Sequence, residues 1–328
     1  MSTCSTSSAP LTQHAIETAK AHLVEIQTIY TQAFWDLMFE AMQVHQAHHT
    51  AGEVQLATLA NIKSGKCPED CKYCPQSSRY QTGIETYDLP ALDEIQAQVR
   101  QAKANGASRF CMGAAWRTPP NEEAFAHVLG MVKTVKSEGL EACVTLGMIN
   151  PTQAERLKEA GLTAYNHNLD TSPHYYPEVI STRTYEDRLQ TLHAVGEAGL
   201  QVCCGGILGM GESETQRLEL LAALKALTHP PESIPINCLV AVAGTPLEDQ
   251  APVDPIELVR MVATTRILFP RAKVRLSAGR LSLSDEAQAL CFLAGANSIF
   301  SGETLLTTPN PEASRDRQLF EKLNLTAV

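Results

Sequence analysis

The 328-residue sequence has no run of about 18 apolar residues, and its first residues lack a charged start followed by an apolar segment. We therefore expect neither a membrane-spanning helix nor a secretory signal, and we predict a cytoplasmic protein. Long basic runs are also absent, and the net charge is −10, from 36 acidic and 26 basic residues. This charge argues against nucleic acid and anionic membranes as partners and favours a small molecule.

Cysteine is too sparse for a disulfide scaffold, because the chain has only ten. In a reducing compartment, clustered cysteines indicate a metal site or catalysis. Cys67, Cys71 and Cys74 lie together in the hydrophilic segment "KCPEDCKYCPQSS" (66–78), in which Pro68 and Pro75 prevent a regular helix. These three cysteines, the triplet, are the first candidate site.

Eight short apolar segments follow residue 50 and alternate with polar segments of helical periodicity. They span residues 54–62, 108–116, 141–149, 163–170, 201–210, 233–242, 273–280 and 297–300. This alternation predicts an α/β fold, a (β/α)8 TIM-type barrel that forms one domain over residues 51–328. Sites in this fold lie at the C-terminal ends of the strands. The triplet follows the first strand candidate, so we expect it over the mouth of the barrel.

Residues 1–50 precede the barrel, and we predict a tail followed by a helical extension. Residues 1–10 are rich in serine and threonine and are predicted to be disordered. Apolar residues then recur at helical spacing and predict an amphipathic helix: Phe34, Leu37, Met38, Ala41 and Met42.

Two kinds of metal site are compatible with the triplet. Structural zinc takes four ligands, and since no further cysteine or histidine follows Cys74 in this loop, zinc would need a distant ligand such as Cys111. A four-iron cluster on three thiolates instead leaves one iron open for a ligand that is not protein.

The C-x3-C-x2-C spacing, with Tyr73 before the last cysteine, resembles the radical S-adenosylmethionine (SAM) superfamily. The resemblance implies a [4Fe-4S] cluster on Cys67, Cys71 and Cys74. The open iron of that cluster binds SAM, which is reductively cleaved to methionine and a 5′-deoxyadenosyl radical.

The same resemblance implies four further residues that contact SAM: Tyr73, Asp170, Gly206 and Gly209. The two glycines belong to "GGILGMGE" (205–212), for which close backbone packing is the alternative interpretation. Asp170 ends "YNHNLD" and suits a ribose hydroxyl, with a helix N-cap as its alternative.

Three further cysteines fall on strand candidates two, three and five: Cys111, Cys143 and Cys203. Each one alone is compatible with a small buried core residue. Together their side chains could meet inside the barrel, where Arg275 of the seventh candidate would place a cation that requires an anionic partner. A sulfide-rich cluster would provide that partner.

Long motifs in order along the chain, among them "CPEDCKYCPQSSRY", "RFCMGAAW", "YNHNLDTSP", "VCCGGILGMGE" and "VRLSAGR", are similar to the biotin synthase family. This resemblance implies a [2Fe-2S] cluster on Cys111, Cys143, Cys203 and Arg275. It also implies dethiobiotin as the substrate, bound near Asn168 and Asn237, and two SAM consumed per biotin. A homodimer and an electron donor such as flavodoxin or ferredoxin are further expectations.

Two other functions compete with this one. Another radical SAM enzyme on the same barrel, such as the hydrogenase maturase or methylornithine synthase, would lack the combined set of Cys111, Cys143, Cys203 and Arg275. A non-enzymatic iron–sulfur carrier would need no SAM pocket, so Asp170 and the glycine-rich segment argue against it.

Overall fold

The structure is a computed structural model that describes residues 11–328, so the disorder predicted for residues 1–10 concerns a segment outside the described residues. The helices are α1 Leu11–Tyr30, α2 Phe34–His48, α3 Leu92–Ala104, α4 Glu122–Ser137, α5 Pro151–Glu159, α6 Tyr176–Val179, α7 Tyr185–Glu197, α8 Glu214–Lys225, α9 Pro255–Leu268, α10 Asp285–Leu293 and α11 Ala313–Leu323. The strands are β1 Glu53–Lys63, β2 Arg109–Ala114, β3 Glu141–Thr145, β4 Ala164–Asn166, β5 Gln201–Cys203, β6 Gly206–Leu208, β7 Ser233–Cys238, β8 Lys273–Leu276, β9 Ser298–Phe300, β10 Thr304–Leu305, β11 Thr308–Pro309 and β12 Thr326–Ala327.

Strands β1 to β9 form a closed parallel barrel. β1 pairs with β2 on one side and with β9 on the other, which joins the two ends of the sheet. Closure removes the free edges that an open sheet would expose. The predicted (β/α)8 TIM-type barrel is confirmed, and all eight predicted strand positions contain a strand.

The fifth barrel strand differs from its prediction, because it is split into β5 and β6. At the break, a Cβ on Gly205 would lie 2.0 Å from the carbonyl oxygen of Pro235 in β7. The backbones approach so closely that only glycine fits. β6 continues the pairing with β7 and carries Gly206 toward Asp170, with which it forms an isolated bridge.

Polar side chains cap the starts of several outer helices. Thr184 and Ser213 form capping boxes at the starts of α7 and α8, with their side chains accepting hydrogen bonds from the amides of Asp187 and Gln216. The Thr184 cap fixes the start of α7, which carries part of the site described below.

The helical extension before the barrel consists of two helices. The predicted helix over residues 34–42 is confirmed as part of α2, which packs on α9 and buries Leu37 and Met38. α1 was not predicted, and it packs on α8 with Ile26 buried in the same apolar core as the barrel. A domain boundary at residue 50 therefore stays a prediction. Among residues 11–328, no helix combines the length and apolar character needed to span a membrane.

Candidate active site in the barrel

A cavity of about 310 Å³ opens at the C-terminal ends of the barrel strands. It brings together residues that are far apart in the sequence, including Cys67, Cys71, Tyr73, Cys74, Cys111, Asn168, Asp170 and Asn237. Eight of the predicted site residues thus share one cavity. Cys143, Cys203 and Arg275 lie deeper, and neither Gly206 nor Gly209 lines it.

The triplet loop is fixed by hydrogen bonds at its ends and middle. The Cys67 amide donates to the Gln76 carbonyl at 2.9 Å, and the Cys74 amide donates to the Cys71 carbonyl at 2.9 Å. The Asp70 carboxylate accepts from the Ser181 amide at 2.9 Å, which ties the loop to the segment before α7. The loop is therefore ordered by the protein itself.

Burial controls the protonation of the triplet. It raises the pKa of Cys71 to about 11 and that of Cys74 to about 12. Both groups are therefore neutral thiols at pH 7 unless positive charge is placed beside them. Metal ions provide that charge, because a coordinating thiol is deprotonated.

Tetrahedral zinc does not fit the spacing of the triplet. Zn–S bonds of about 2.3 Å place thiolate sulfurs about 3.8 Å apart. Among residues 11–328, the one group of three or more potential ligands within 4.8 Å of one another is His193, Glu197 and His229. The triplet sulfurs are therefore spread too widely for a single ion and fit a larger cluster.

Asp170 is held at the rim of the cavity with a left-handed backbone (φ 66°). The Tyr73 hydroxyl donates to its Oδ2 at 2.8 Å, and the Arg188 guanidinium also pairs with Oδ2. Oδ1 accepts no hydrogen bond from any residue in 11–328. Since α6 begins only after Tyr175, Asp170 is not a helix N-cap.

Arg188 on α7 was missed by sequence reasoning. It is 4% exposed, and besides Asp170 it donates to the Asn168 carbonyl at 2.6 Å and to the Tyr176 hydroxyl at 2.9 Å. Its guanidinium also lies 5.4 Å from the centre of the Tyr176 ring. The signal in the sequence is helical spacing, because Arg188 lies three residues after Tyr185 and four before Leu192 on the buried side of α7. A buried arginine requires an anionic partner.

Asn168 and Asn237 make hydrogen bonds at the strand ends while lining the cavity. The Gly205 amide donates to Oδ1 of Asn168 at 3.1 Å. Asn237 donates to the Gly206 carbonyl at 2.9 Å and accepts from the Ala278 amide at 3.2 Å. Both ends of the Asn237 amide are therefore occupied, whereas the Asn168 side-chain NH2 has no acceptor among residues 11–328.

Gly206 and Gly209 have packing roles. A Cβ on Gly206 would lie 2.3 Å from Leu220 Cδ2 and 2.8 Å from the Asp170 carbonyl oxygen. Gly209 has a positive φ of 91°, and its amide donates to Glu212 at 2.8 Å. Gly206 thus allows the close approach that positions Asp170, and a direct contact of either glycine with SAM stays a prediction.

The deeper cysteines occupy neighbouring strands inside the barrel. Cys111 and Cys143 are register partners of β2 and β3 and are 4% and 1% exposed. Cys203 on β5 is fully buried and accepts a hydrogen bond from Asn166 at 3.3 Å. The adjacent Cys204 belongs instead to the core between the sheet and the helices, as the alternation of a strand requires.

Arg275 is fully buried in the same interior. Its Nε donates to Ser298 at 2.9 Å and one terminal nitrogen donates to Gln55 at 3.2 Å, whereas the other has no hydrogen-bond partner. An unsatisfied buried donor on a cation points to an anionic ligand. A hydrogen bond with Cys143, followed by the charges of Arg275 and Arg109, lowers the pKa of Cys111 to about 7, so one thiol of this pair ionises readily.

Arg109, at the start of β2, closes the barrel below these cysteines. Sequence reasoning did not identify it either. It is fully buried, two residues before Cys111 on the same face of β2, and pairs with Glu141 at 2.7 Å and Glu232 at 3.2 Å. The interior therefore connects to solvent through the cavity at the opposite end, which limits the access of water to the cysteines.

Comparison with known proteins identifies the family. The model of the Radical SAM superfamily matches residues 61–224, and that of the Biotin and Thiamin Synthesis associated domain matches residues 235–326. Biotin synthase of Gloeobacter violaceus is 64% identical over 301 residues, which cover 92% of this chain and 95% of that protein. The chain belongs to the biotin synthase family. Biotin synthase of a Synechococcus strain is 60% identical over 92% of this chain and 97% of that protein.

Solved structures agree on the fold. Methylornithine synthase superposes with a TM-score of 0.79 at 18% identity, and the alignment covers 97% of each chain. The FeFe-hydrogenase maturase HydG from Carboxydothermus hydrogenoformans has a TM-score of 0.79 at 16% identity, over 96% of this chain and 79% of that one. Both proteins therefore share the barrel fold, and the sequence relatives assign this chain to the biotin synthase family.

Proposed function

We propose that the protein is a biotin synthase, which converts dethiobiotin into biotin by inserting one sulfur atom, the last step of biotin biosynthesis. The observation that carries the proposal is that one cavity is lined by the triplet, by Asp170 and by Cys111. A SAM site at the mouth and a sulfur source in the interior are then separated only by the space that the substrate would fill.

The residues at the mouth fit a [4Fe-4S] cluster and SAM. Cys67, Cys71 and Cys74 would bind the cluster, whose chemistry with SAM supplies the 5′-deoxyadenosyl radical. Oδ1 of Asp170 is available to accept a hydrogen bond from a ribose hydroxyl. Tyr73 and Arg188 fix the other oxygen of that carboxylate, so the acceptor is oriented before SAM arrives.

The interior residues fit a [2Fe-2S] cluster as the sulfur donor. Cys111, Cys143 and Cys203 would supply three thiolates, and the unpartnered nitrogen of Arg275 supports the fourth position. Burial and the closed floor at Arg109 keep this site dry. Exclusion of water protects reactive intermediates from side reactions.

Dethiobiotin would lie between these sites. The side-chain NH2 of Asn168 is free to donate to a carbonyl of the substrate, while Asn237 shapes the wall through its strand-end hydrogen bonds. The apolar side chains of Trp116, Ile207 and Phe300 line the same cavity and suit an aliphatic chain. The protein's part in the reaction is therefore to align substrate carbons between the radical source and the sulfur source.

Partners and location follow the family. We infer a homodimer that receives electrons from a donor such as flavodoxin or ferredoxin. No disulfide joins any two of the nine cysteines of residues 11–328, which is compatible with a reducing, cytoplasmic location. Sedimentation of the protein loaded with both clusters tests the dimer, because a monomer at the concentration used for activity would overturn that inference.

The function is tested by an anaerobic reaction of protein carrying both clusters with SAM, a low-potential electron donor and dethiobiotin. Mass spectrometry should detect 5′-deoxyadenosine and biotin in a ratio near two to one. 5′-Deoxyadenosine without biotin would keep the radical chemistry and reject the substrate, and the absence of both would reject the enzyme.

A further inference from the structure

A histidine–glutamate–histidine cluster lies on the outer surface, away from the cavity. His193 and Glu197 belong to α7, and His229 follows α8. One potential ligand atom from each of the three lies within 4.8 Å of the other two. His229 Nε2 is 2.9 Å from Glu197 Oε1, and the rings of His193 and His229 have centroids 5.8 Å apart. We refer to these three residues as the surface triad.

The local structure positions the surface triad by two independent features. His193 and Glu197 are four residues apart on one helix and therefore share a face. Gly196 leaves room for the His229 ring, because a Cβ at position 196 would lie 2.1 Å from His229 Cγ. Any other residue at 196 would displace the imidazole, so the glycine is what allows His229 to reach the two ligands on α7.

The electrostatics of the surface triad favour a cation. Within residues 11–328, no lysine or arginine lies within 4.0 Å of the Glu197 carboxylate, whose charge pair is with His229 alone. The protein as a whole carries a net charge of −10. A divalent ion would therefore supply positive charge that the protein does not provide at this point.

The donor set identifies the class of ion. Two imidazoles and one carboxylate are a ligand set that zinc takes, with a fourth position left for water. Solvent can supply that water directly, because His193 and Glu197 are exposed.

We propose that His193, Glu197 and His229 bind one zinc ion at the surface of the barrel. The ion would connect the last turns of α7 to the segment between α8 and β7. α7 also carries Arg188, which pairs with Asp170. The bound ion would therefore stabilise the helix that supports the SAM pocket. This site is separate from both cluster sites and does not depend on the proposed function.

The test uses protein loaded with both clusters, dialysed anaerobically against low-micromolar free Zn²⁺ and analysed for zinc and iron. We expect one zinc per chain with no loss of iron, and a rise in the midpoint of thermal unfolding. His193→Gln and His229→Gln should each weaken zinc binding by about 10- to 100-fold or more, since even outer-shell partners of a metal ligand contribute that much.

Two further variants separate a zinc site from a general effect of histidine. Gly196→Ala keeps all three ligands but displaces the His229 ring, so it should also lose zinc while retaining its iron content. His174→Gln is the matched control, because His174 is an exposed histidine paired with Glu219 at 3.0 Å outside the surface triad. It should bind zinc as the parent protein does.

Three results would overturn the proposal. The first is protein that stays free of zinc under these conditions. The second is zinc bound equally by the parent protein, His193→Gln and His229→Gln. The third is uptake of zinc in proportion to loss of iron, which would assign the ion to the cysteine sites.

Discussion

Arg275→Met gives the sharpest test of the interior site, because we expect it to stabilise the cluster-free protein. Arg275 is fully buried, and one terminal nitrogen of its guanidinium has no partner. The two side chains to which Arg275 donates, Ser298 and Gln55, remain hydrogen-bonded to each other without it, because the Ser298 hydroxyl donates to Gln55 at 3.3 Å. Removing the cation therefore removes an unsatisfied charge and leaves a hydrogen-bonded pair behind.

The expected magnitude follows from the cost of buried charge. Replacing a buried ion pair or triad by apolar side chains of similar volume is often stabilising, by about 1–4 kcal/mol, and an unpaired buried cation carries a desolvation cost that no Coulombic attraction offsets. We expect an increase in the free energy of unfolding within this range for Arg275→Met. The stacking of Arg275 on Phe300, with 4.8 Å from the guanidinium carbon to the ring centroid, is partly replaced by the methionine sulfur.

Arg188→Met is the matched control, because Arg188 is also buried but is paired with Asp170. Breaking that pair leaves an uncompensated buried carboxylate and should lower the free energy of unfolding by about 3–5 kcal/mol. Urea unfolding is followed by fluorescence at about pH 5, well below the pKa of about 7 for Cys111, so that this thiol is protonated and cannot serve as an anion for Arg275. A loss of stability in Arg275→Met equal to that in Arg188→Met would refute the reasoning.

Four further predictions follow from the site. Cys111→Ala should retain the triplet cluster and form 5′-deoxyadenosine without biotin, as measured by iron analysis and mass spectrometry; retained biotin formation would contradict the ligand assignment. In cluster-free protein, the pKa of Cys111 near 7 predicts that alkylation of this thiol by iodoacetamide rises as the pH increases through 7, and a rise confined to pH 9 would contradict it. Asp170→Asn should raise KM for SAM by about 10- to 100-fold, the equivalent of one charge-assisted hydrogen bond; an unchanged KM would exclude the ribose contact. Gly206→Ala should lower the free energy of unfolding by about 1–3 kcal/mol, because its Cβ would lie 2.3 Å from Leu220; unchanged unfolding would contradict the close packing.

The sequence was sufficient to predict the barrel but not its details. Alternation of apolar and polar segments identified every barrel strand, because helix and strand periodicities differ. The break between β5 and β6 was not predicted, since it results from the approach of Gly205 to Pro235 on another strand. α1 was also missed, because its packing on α8 is a tertiary contact.

The candidate site was likewise predicted only in part from the sequence. Cysteine spacing and the family resemblance predicted the triplet and the interior cysteines, but the register that aligns Cys111 with Cys143 depends on how the strands pair. Arg188 and Arg109 were missed because their acidic partners lie on other elements. The surface triad was missed for a similar reason, since His229 reaches α7 only in the folded chain.

In the proposed function, the interior site donates its own sulfur to dethiobiotin. The most direct measurement rebuilds the interior cluster with sulfide of a heavy sulfur isotope and analyses biotin from a single anaerobic turnover by mass spectrometry. We expect biotin from the parent protein to carry the heavy isotope, and we expect Cys111→Ala to form no biotin. Unlabelled biotin from protein whose interior cluster is fully labelled would contradict the proposed function.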